Sequence, residues 1–284
     1  MLGQRVPGTS ATGALARVWA WQLWRRTARR PVLIRCAEGS QLVAPSWSRG
    51  SSVIAATGLA ERNDAIFVLD LLRAGDIFVD VGANIGFYTV LAARRGATVE
   101  AFEPTPEAAA TCERSIALNS VQSLAHVHRA ACGAATGTVR FTTGLDISNH
   151  IVEGDAPGIE VTITTLDDEL ADRDAPVCMF KVDAEGHDLD VLRGGLGAIA
   201  RLQPVILVEI WTGGAGPLEL VAPHGYRPYR YDPRSRRLSE IALDRPRGGN
   251  LLMIPDAKID EVRTRLQSAP VLALRAPSVR WLGG

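Results

Sequence analysis

The spacing of apolar residues alternates along the chain between helical and strand-like periods. Between Leu15 and Arg30, Leu15, Val18, Trp19 and Leu23 share one helical stripe and five arginines lie elsewhere, which predicts a basic helix stopped by Pro31. Val32 to Arg35 and Gln41 to Ala44 read as a hairpin across Glu38-Gly-Ser40. A helix is predicted from about Ala60 to Arg73 with Ile66, Phe67, Leu69 and Leu71 facing a core, ended by Gly75. The run Ile77 to Val81 then reads as a buried strand, followed by a glycine-bearing turn, Gly82-Ala-Asn-Ile-Gly86, and a helix to Arg95. A second apolar run, Ala97 to Phe102, ends on Glu103. Pro104-Thr-Pro106 opens a helix to about Asn119, because proline is tolerated in a first turn. Further strands are predicted at Leu124 to Ala131, Gly137 to Phe141, Val161 to Leu166, Val177 to Val182, Pro204 to Ile210, Tyr226 to Tyr231 and Asn250 to Ile254. Strands alternating with helices from 60 to 255, with no internal repeat, predict one α/β layered sandwich.

Composition narrows the function without naming it. Basic and acidic residues balance at 31 each among 284 residues, so no global field draws the chain to nucleic acid. The four cysteines, Cys36, Cys112, Cys132 and Cys178, form no Cys-x-x-Cys pair, which argues against a zinc site and against a disulfide framework. No apolar run approaches the roughly 18 residues of a membrane span. The N-terminus also lacks an apolar segment followed by a cleavage site, so a soluble, cytoplasmic protein is expected. The basic, Trp-bearing helix between 15 and 30 is expected to pack on its own domain or a partner; peripheral contact with a membrane interface is the alternative.

The chemistry concentrates in residues 76 to 104. Strand, glycine turn, helix, strand and terminal carboxylate form the first half of a nucleotide-type site, in which Glu103 can hold both hydroxyls of a ribose. A nicotinamide fingerprint requires Gly-x-Gly-x-x-Gly, but Asn84 stands at one glycine position, leaving Gly82 and Gly86; a Gly-Lys-Ser/Thr phosphate loop is also absent. Asp80 at the strand end suits an ammonium group or the turn amides. The set Asp80, Gly82, Asn84, Gly86 and Glu103 therefore points to S-adenosylmethionine, with its amino-acid end at the first turn and its ribose at the second strand.

Phe78-Val-Asp-Val-Gly-Ala-Asn-Ile-Gly-Phe-Tyr88, Phe102-Glu-Pro104, Thr165-Leu-Asp167, Lys181-Val-Asp-Ala-Glu-Gly-His-Asp188 and Val191-Leu-Arg-Gly194 together resemble the FkbM-type S-adenosylmethionine-dependent methyltransferases. The resemblance implies a class I methyltransferase (Rossmann-like) three-layer sandwich, with a mostly parallel sheet of about seven strands whose last hairpin is antiparallel. It implies O-methylation of a hydroxyl on a small molecule or glycan, of sugar or natural-product type. Asp80, Gly82, Asn84, Gly86 and Glu103 carry over as cofactor residues, and Glu61 falls where the family has an acid upstream of the first strand. His187 departs from the family, which often has an acid or an alanine nearby. The organisation expected is an N-terminal extension over 1–54, the methyltransferase domain over 55–255 and a tail over 256–284.

Methyl transfer is an in-line displacement, so the protein must align acceptor oxygen, methyl and sulfur, and a base helps by taking the hydroxyl proton. Strand ends nominate Asp183, His187 and Glu209 for that work: Asp183 as acceptor-positioning group or base against a helix N-cap, His187 as base by its ordinary pKa, and Glu209 at the end of a buried strand, needing a partner such as Lys181 or a substrate hydroxyl. Glu185 is expected in the first turn of the following helix, and His150 in an acceptor loop. His126 and His128 read as structural. No ligand spacing demands a metal, and none is expected. The competing classes are a nucleic-acid methyltransferase, which would show an Asn/Asp-Pro-Pro-aromatic turn or a basic, aromatic groove, and a non-catalytic Rossmann-like binding protein.

Overall fold

The structure is a computed structural model describing residues 11–27, 30–48, 50–141, 151–152, 158–173, 175–210, 215–242, 249–272, 274 and 277–281. Its centre is an eight-stranded sheet in the order Arg237–Glu240, Tyr226–Asp232, Gly249–Pro255, Val205–Ile210, Val177–Val182, Ile77–Val81, Thr98–Phe102, Ala125–His128. Strands 205–210 through 125–128 are parallel, whereas 249–255 runs antiparallel to both its neighbours and 237–240 antiparallel to 226–232. One strand more than the sequence predicts is present: Arg237–Glu240 pairs only along one edge and is mostly exposed, so it carries no apolar alternation to betray it.

Two apolar clusters sort onto the two faces of this sheet. Phe78, Val99, Ala101, Met179 and Leu207 pack with helices Arg62–Leu71, Phe87–Arg94, Pro106–Leu118 and Ile259–Gln267. Val79, Val81, Phe180, Val182 and Val208 pack with Asp188–Arg193, Leu196–Leu202 and Gly216–Val221 on the other side. Burial on both faces explains why strands 77–81 and 177–182 read as continuous apolar runs. The chain adds strands 98–102 and 125–128 on one side of 77–81, then crosses to lay 177–182 on the other. That reversal opens a crevice beyond the carboxyl ends of 77–81 and 177–182, where open α/β sheets bind ligands.

A separate four-stranded sheet, in the order Ala131–Cys132, Ile159–Thr164, Gly137–Phe141, Ile151–Val152, stands beside that crevice. A third sheet joins Val32–Arg35 to Gln41–Ala44 in the predicted hairpin and to Ser278–Trp281 on its other edge. The helix expected from about Ala60 to Arg73 is present as Arg62–Leu71, and a further helix that the sequence does not predict, Ser51–Thr57, precedes it and ends where Gly58 turns left-handed at φ 83°.

Helix Ala11–Thr27 packs on its own domain, but through a different face from the predicted stripe. Trp21 and Trp24 are buried with ring centroids 4.6 Å apart, and Arg17 Nε donates to Ala56 O at 3.0 Å. Leu15, Trp19 and Leu23 point outward. Apolar periodicity identifies a face and cannot say which of two apolar faces is covered. Among the described residues, no helix is long and apolar enough to cross a membrane.

Candidate active site

Gly82 follows the first central strand with φ 77°, and its N–H and that of Ala83 donate to Phe102 O at 2.9 and 3.1 Å. An ideal Cβ on Gly82 would lie 1.9 Å from the carbonyl oxygen of Asp183. The turn is thus wedged between the ends of two neighbouring strands, and no side chain fits there. Asn84 also adopts a left-handed conformation (φ 50°), which asparagine tolerates. Its N–H donates to Glu103 Oε2 at 2.9 Å, locking turn and carboxylate together. Gly86, at φ 88°, opens helix Phe87–Arg94, and a Cβ there would come within 2.7 Å of Cys112 Sγ. Gly86 is needed for helix packing and does not line the cleft.

Glu103 is 6% exposed and sits on the cleft wall. Its Oε1 accepts from Thr105 N at 2.9 Å and Thr105 Oγ1 at 2.6 Å, while Oε2 accepts from Asn84 N. Burial pushes its pKa up, and these donors oppose the rise. A carboxylate oxygen has two lone pairs, so Oε2 keeps accepting capacity on the cleft side. Thr105, two residues along, is a supporting residue that the sequence reading passed over; a hydroxyl so placed is the signal that could have found it.

Asp80 lies beneath the turn and outside the cleft lining. It is 1% exposed; Oδ2 accepts from Thr89 Oγ1 at 2.6 Å, and Oδ1 has no hydrogen-bond partner among the described residues. Burial raises its pKa, with Lys181 opposing. Lys181 is itself buried, donates to Asp183 Oδ2 at 2.9 Å, and sits 4.9 Å from the centre of the Tyr88 ring. Burial pulls down the Lys181 pKa, but the Asp183 and Asp80 carboxylates outweigh it, leaving the ammonium charged. The Tyr88 hydroxyl donates to Glu61 Oε2 at 2.8 Å. Glu61 therefore reaches this cluster through Tyr88 and is not part of the cleft wall. The partner suggested for Glu209, Lys181, is committed to Asp183. Glu209 ends its strand half-buried, opposite Asn250 and off the described cleft lining.

Asp183, Glu185 and His187 do line the cleft. The turn that carries them is held by Asp188, whose Oδ1 accepts from Ala184 N at 2.7 Å and Oδ2 from Gly186 N at 3.2 Å. Asp183 is therefore free of a capping role. Helix Asp188–Arg193 begins later than predicted, so Glu185 is not in its first turn; it adopts φ 49° within the loop. Burial, then the nearby Asp183, Glu209 and Asp188 carboxylates, raise the Glu185 pKa to about 8. The Nδ1 of His187 lies 3.9 Å from Asp190 Oδ2. His128 is structural in its contacts, paired with Glu100 at 2.7 Å and stacked on Phe102, while His126 is exposed on the same strand. His150, with residues 143–149 and 153–157 around it, and residues 212–214 lie outside the described residues.

The cleft has a volume of about 550 Å³, within the range of small-molecule sites. Its walls combine Phe102, Ala131, Cys132, Phe141 and Ile159 with the carboxylates of Glu103, Glu107, Asp183 and Glu185, and no described lining residue is an arginine or lysine.

Residues 80–219 match the methyltransferase FkbM domain. The chain is 31% identical over 150 residues to hexuronic acid methyltransferase AglP of Haloferax volcanii, covering 51% of this chain and 60% of that protein. It is 27% identical over 144 residues to Methyltransferase 1 of Beauveria bassiana, covering 41% of this chain and 57% of that protein. The chain thus spans less than two thirds of either relative. The crystal structure of an FkbM methyltransferase from Methylobacillus flagellatus aligns at 18% identity and a TM-score of 0.46, over 86% of this chain and 60% of that one. The FkbM methyltransferase domain is thus what the chain resembles through residues 80–219, just under half of its 284 residues.

Proposed function

We propose that the protein moves a methyl group from S-adenosylmethionine to a hydroxyl of a small molecule or glycan. The observation that carries this reading is Glu103: a buried carboxylate on the cleft wall, fixed by Asn84 and Thr105 and still able to accept at Oε2. That is the chemistry required to hold ribose hydroxyls. When bound, S-adenosylmethionine supplies an activated methyl and a neutral thioether leaving group. Gly82 and Asn84 would hold its amino-acid end, and the apolar wall of Phe102, Ala131 and Cys132 suits an aromatic base. Asp80 acts from below, adding negative charge behind the turn through a side chain anchored on Thr89.

Asp183 is the proposed acceptor-facing group. Lys181 donates to one of its oxygens, which orients the carboxylate to take or share the hydroxyl proton. His187, on the same wall, is the second candidate base. Glu209 is assigned only an electrostatic part, through its effect on Glu185. The carboxylate-rich lining, without a described arginine or lysine, favours an uncharged polyol over a phosphate-rich polymer. The name of the Haloferax relative supports the sugar class of acceptor, though a hexuronic acid itself carries a carboxylate.

Calorimetry with S-adenosylmethionine, followed by labelled methyl transfer to sugars, polyols and RNA, tests the reading. Saturable cofactor binding and label in the sugar or polyol fraction are expected. Absence of binding at millimolar cofactor would sink the proposal, and label in RNA would replace the acceptor class.

A further inference from the structure

Helix 11–27 has two apolar faces, and only one is covered. Trp21 and Trp24 are buried against the domain, whereas Leu15, Trp19 and Leu23, spaced i, i+4 and i+8, remain 47%, 75% and 65% exposed. Arg26, three residues further, continues the same row and is exposed. The helix contains no acidic residue, and seven arginines precede the first acid of the chain, Glu38. Charge that balances over the whole molecule is therefore one-sided here.

The occupant of this face must take up a tryptophan and two leucines and also answer positive charge. A second copy of the chain would set Arg26 and its neighbours against arginines with no acid in reach on the helix, which opposes self-association. A bilayer with anionic headgroups meets both demands. The apolar row enters the headgroup–acyl boundary, the Trp19 ring sits at the depth tryptophan favours, and the arginine stems lie along the surface with their guanidinium groups on lipid phosphates. We infer that helix 11–27 docks the protein on an anionic membrane surface through Leu15, Trp19, Leu23 and Arg26. The helix packs on Ser51–Thr57, which lies just after cleft-lining Trp47, so the docking face and the cleft belong to neighbouring elements. The inference is independent of the reaction, because the helix lies outside residues 80–219.

The test is sedimentation of the full chain with phosphatidylcholine vesicles, with and without about 30% phosphatidylglycerol. Binding to the anionic vesicles is expected to be about tenfold or more stronger and to weaken as salt rises. Combining Trp19→Glu with Leu23→Glu should lower that binding by about tenfold or more, and Arg26→Gln should reduce the preference for anionic lipid. These side chains are exposed, so circular dichroism should report an unchanged fold. Wild-type protein left in the supernatant with both vesicles would overturn the inference, as would a double variant that binds like wild type. A dimer in light scattering, abolished by the double variant and accompanied by no vesicle binding, would overturn it in favour of a protein partner.

Discussion

At the scale of single residues, function turns on carboxylates whose surroundings differ. Glu103 meets Asn84 N–H on one oxygen and Thr105 on the other, so both sides of the group must accept. In Glu103→Gln the amide nitrogen must face one of those donors. S-Adenosylmethionine affinity should fall by about 10- to 100-fold in calorimetry, the range of one to two charge-assisted hydrogen bonds. Glu185 behaves differently. Its pKa stands at about 8 in the folded chain, against an ordinary 4.5, because burial and surrounding acids disfavour its charge. The folded state therefore holds the proton more tightly than the unfolded chain. The stability this brings is complete below pH 4.5 and is lost as pH climbs to about 8. Denaturant titrations from pH 5 to 8 should show a decline for the wild-type chain that Glu185→Gln flattens; equal slopes would refute this account. Glu103 and Asp183 were legible because they end apolar runs. Thr105, Tyr88 and Asp188 were not, because each acts through a partner that only folding supplies.

At the scale of elements, the site depends on strand ends being held in register. The first central strand is entered at Asp76, whose Oδ2 accepts from Arg73 N at 2.7 Å and from Arg265 Nη1 at 2.6 Å. Arg265 belongs to helix Ile259–Gln267, so a residue near the C-terminus steadies the strand that ends at Gly82. Asp76→Ala should cost about 2 kcal/mol and lower the melting temperature by about 4–8 °C, measured by calorimetry, with kcat little changed because the group is remote from the cleft. The βα unit from 77 to 103 could be read in the sequence, since apolar runs and glycine turns are local signals. The Arg237–Glu240 strand and the short helix Ser51–Thr57 could not. An exposed edge strand has no apolar period, and a helix of seven residues is too short to show one clearly.

At the scale of the whole molecule, the cleft is assembled from parts far apart in sequence, and a bound ligand should tie them together. Saturation with S-adenosylmethionine at about 100 times its dissociation constant should stabilise the folded state by about 2.7 kcal/mol. A melting shift of about 5–10 °C, cut to about 1–6 °C in Glu103→Gln at the same concentration, would mark cofactor binding to the folded protein. The sequence by itself determined the parallel α/β core, the glycine turn with Glu103 and the resemblance to the FkbM methyltransferase domain, because each rests on residues close together in the chain whose spacing the backbone enforces. Tertiary structure alone decided what those residues face. It buried Asp80 below the turn, joined Lys181 to Asp183, and made Gly82 obligatory through a carbonyl a hundred residues away. It also turned the Leu15, Trp19 and Leu23 stripe outward, since a helix with two apolar faces can cover either and only packing chooses.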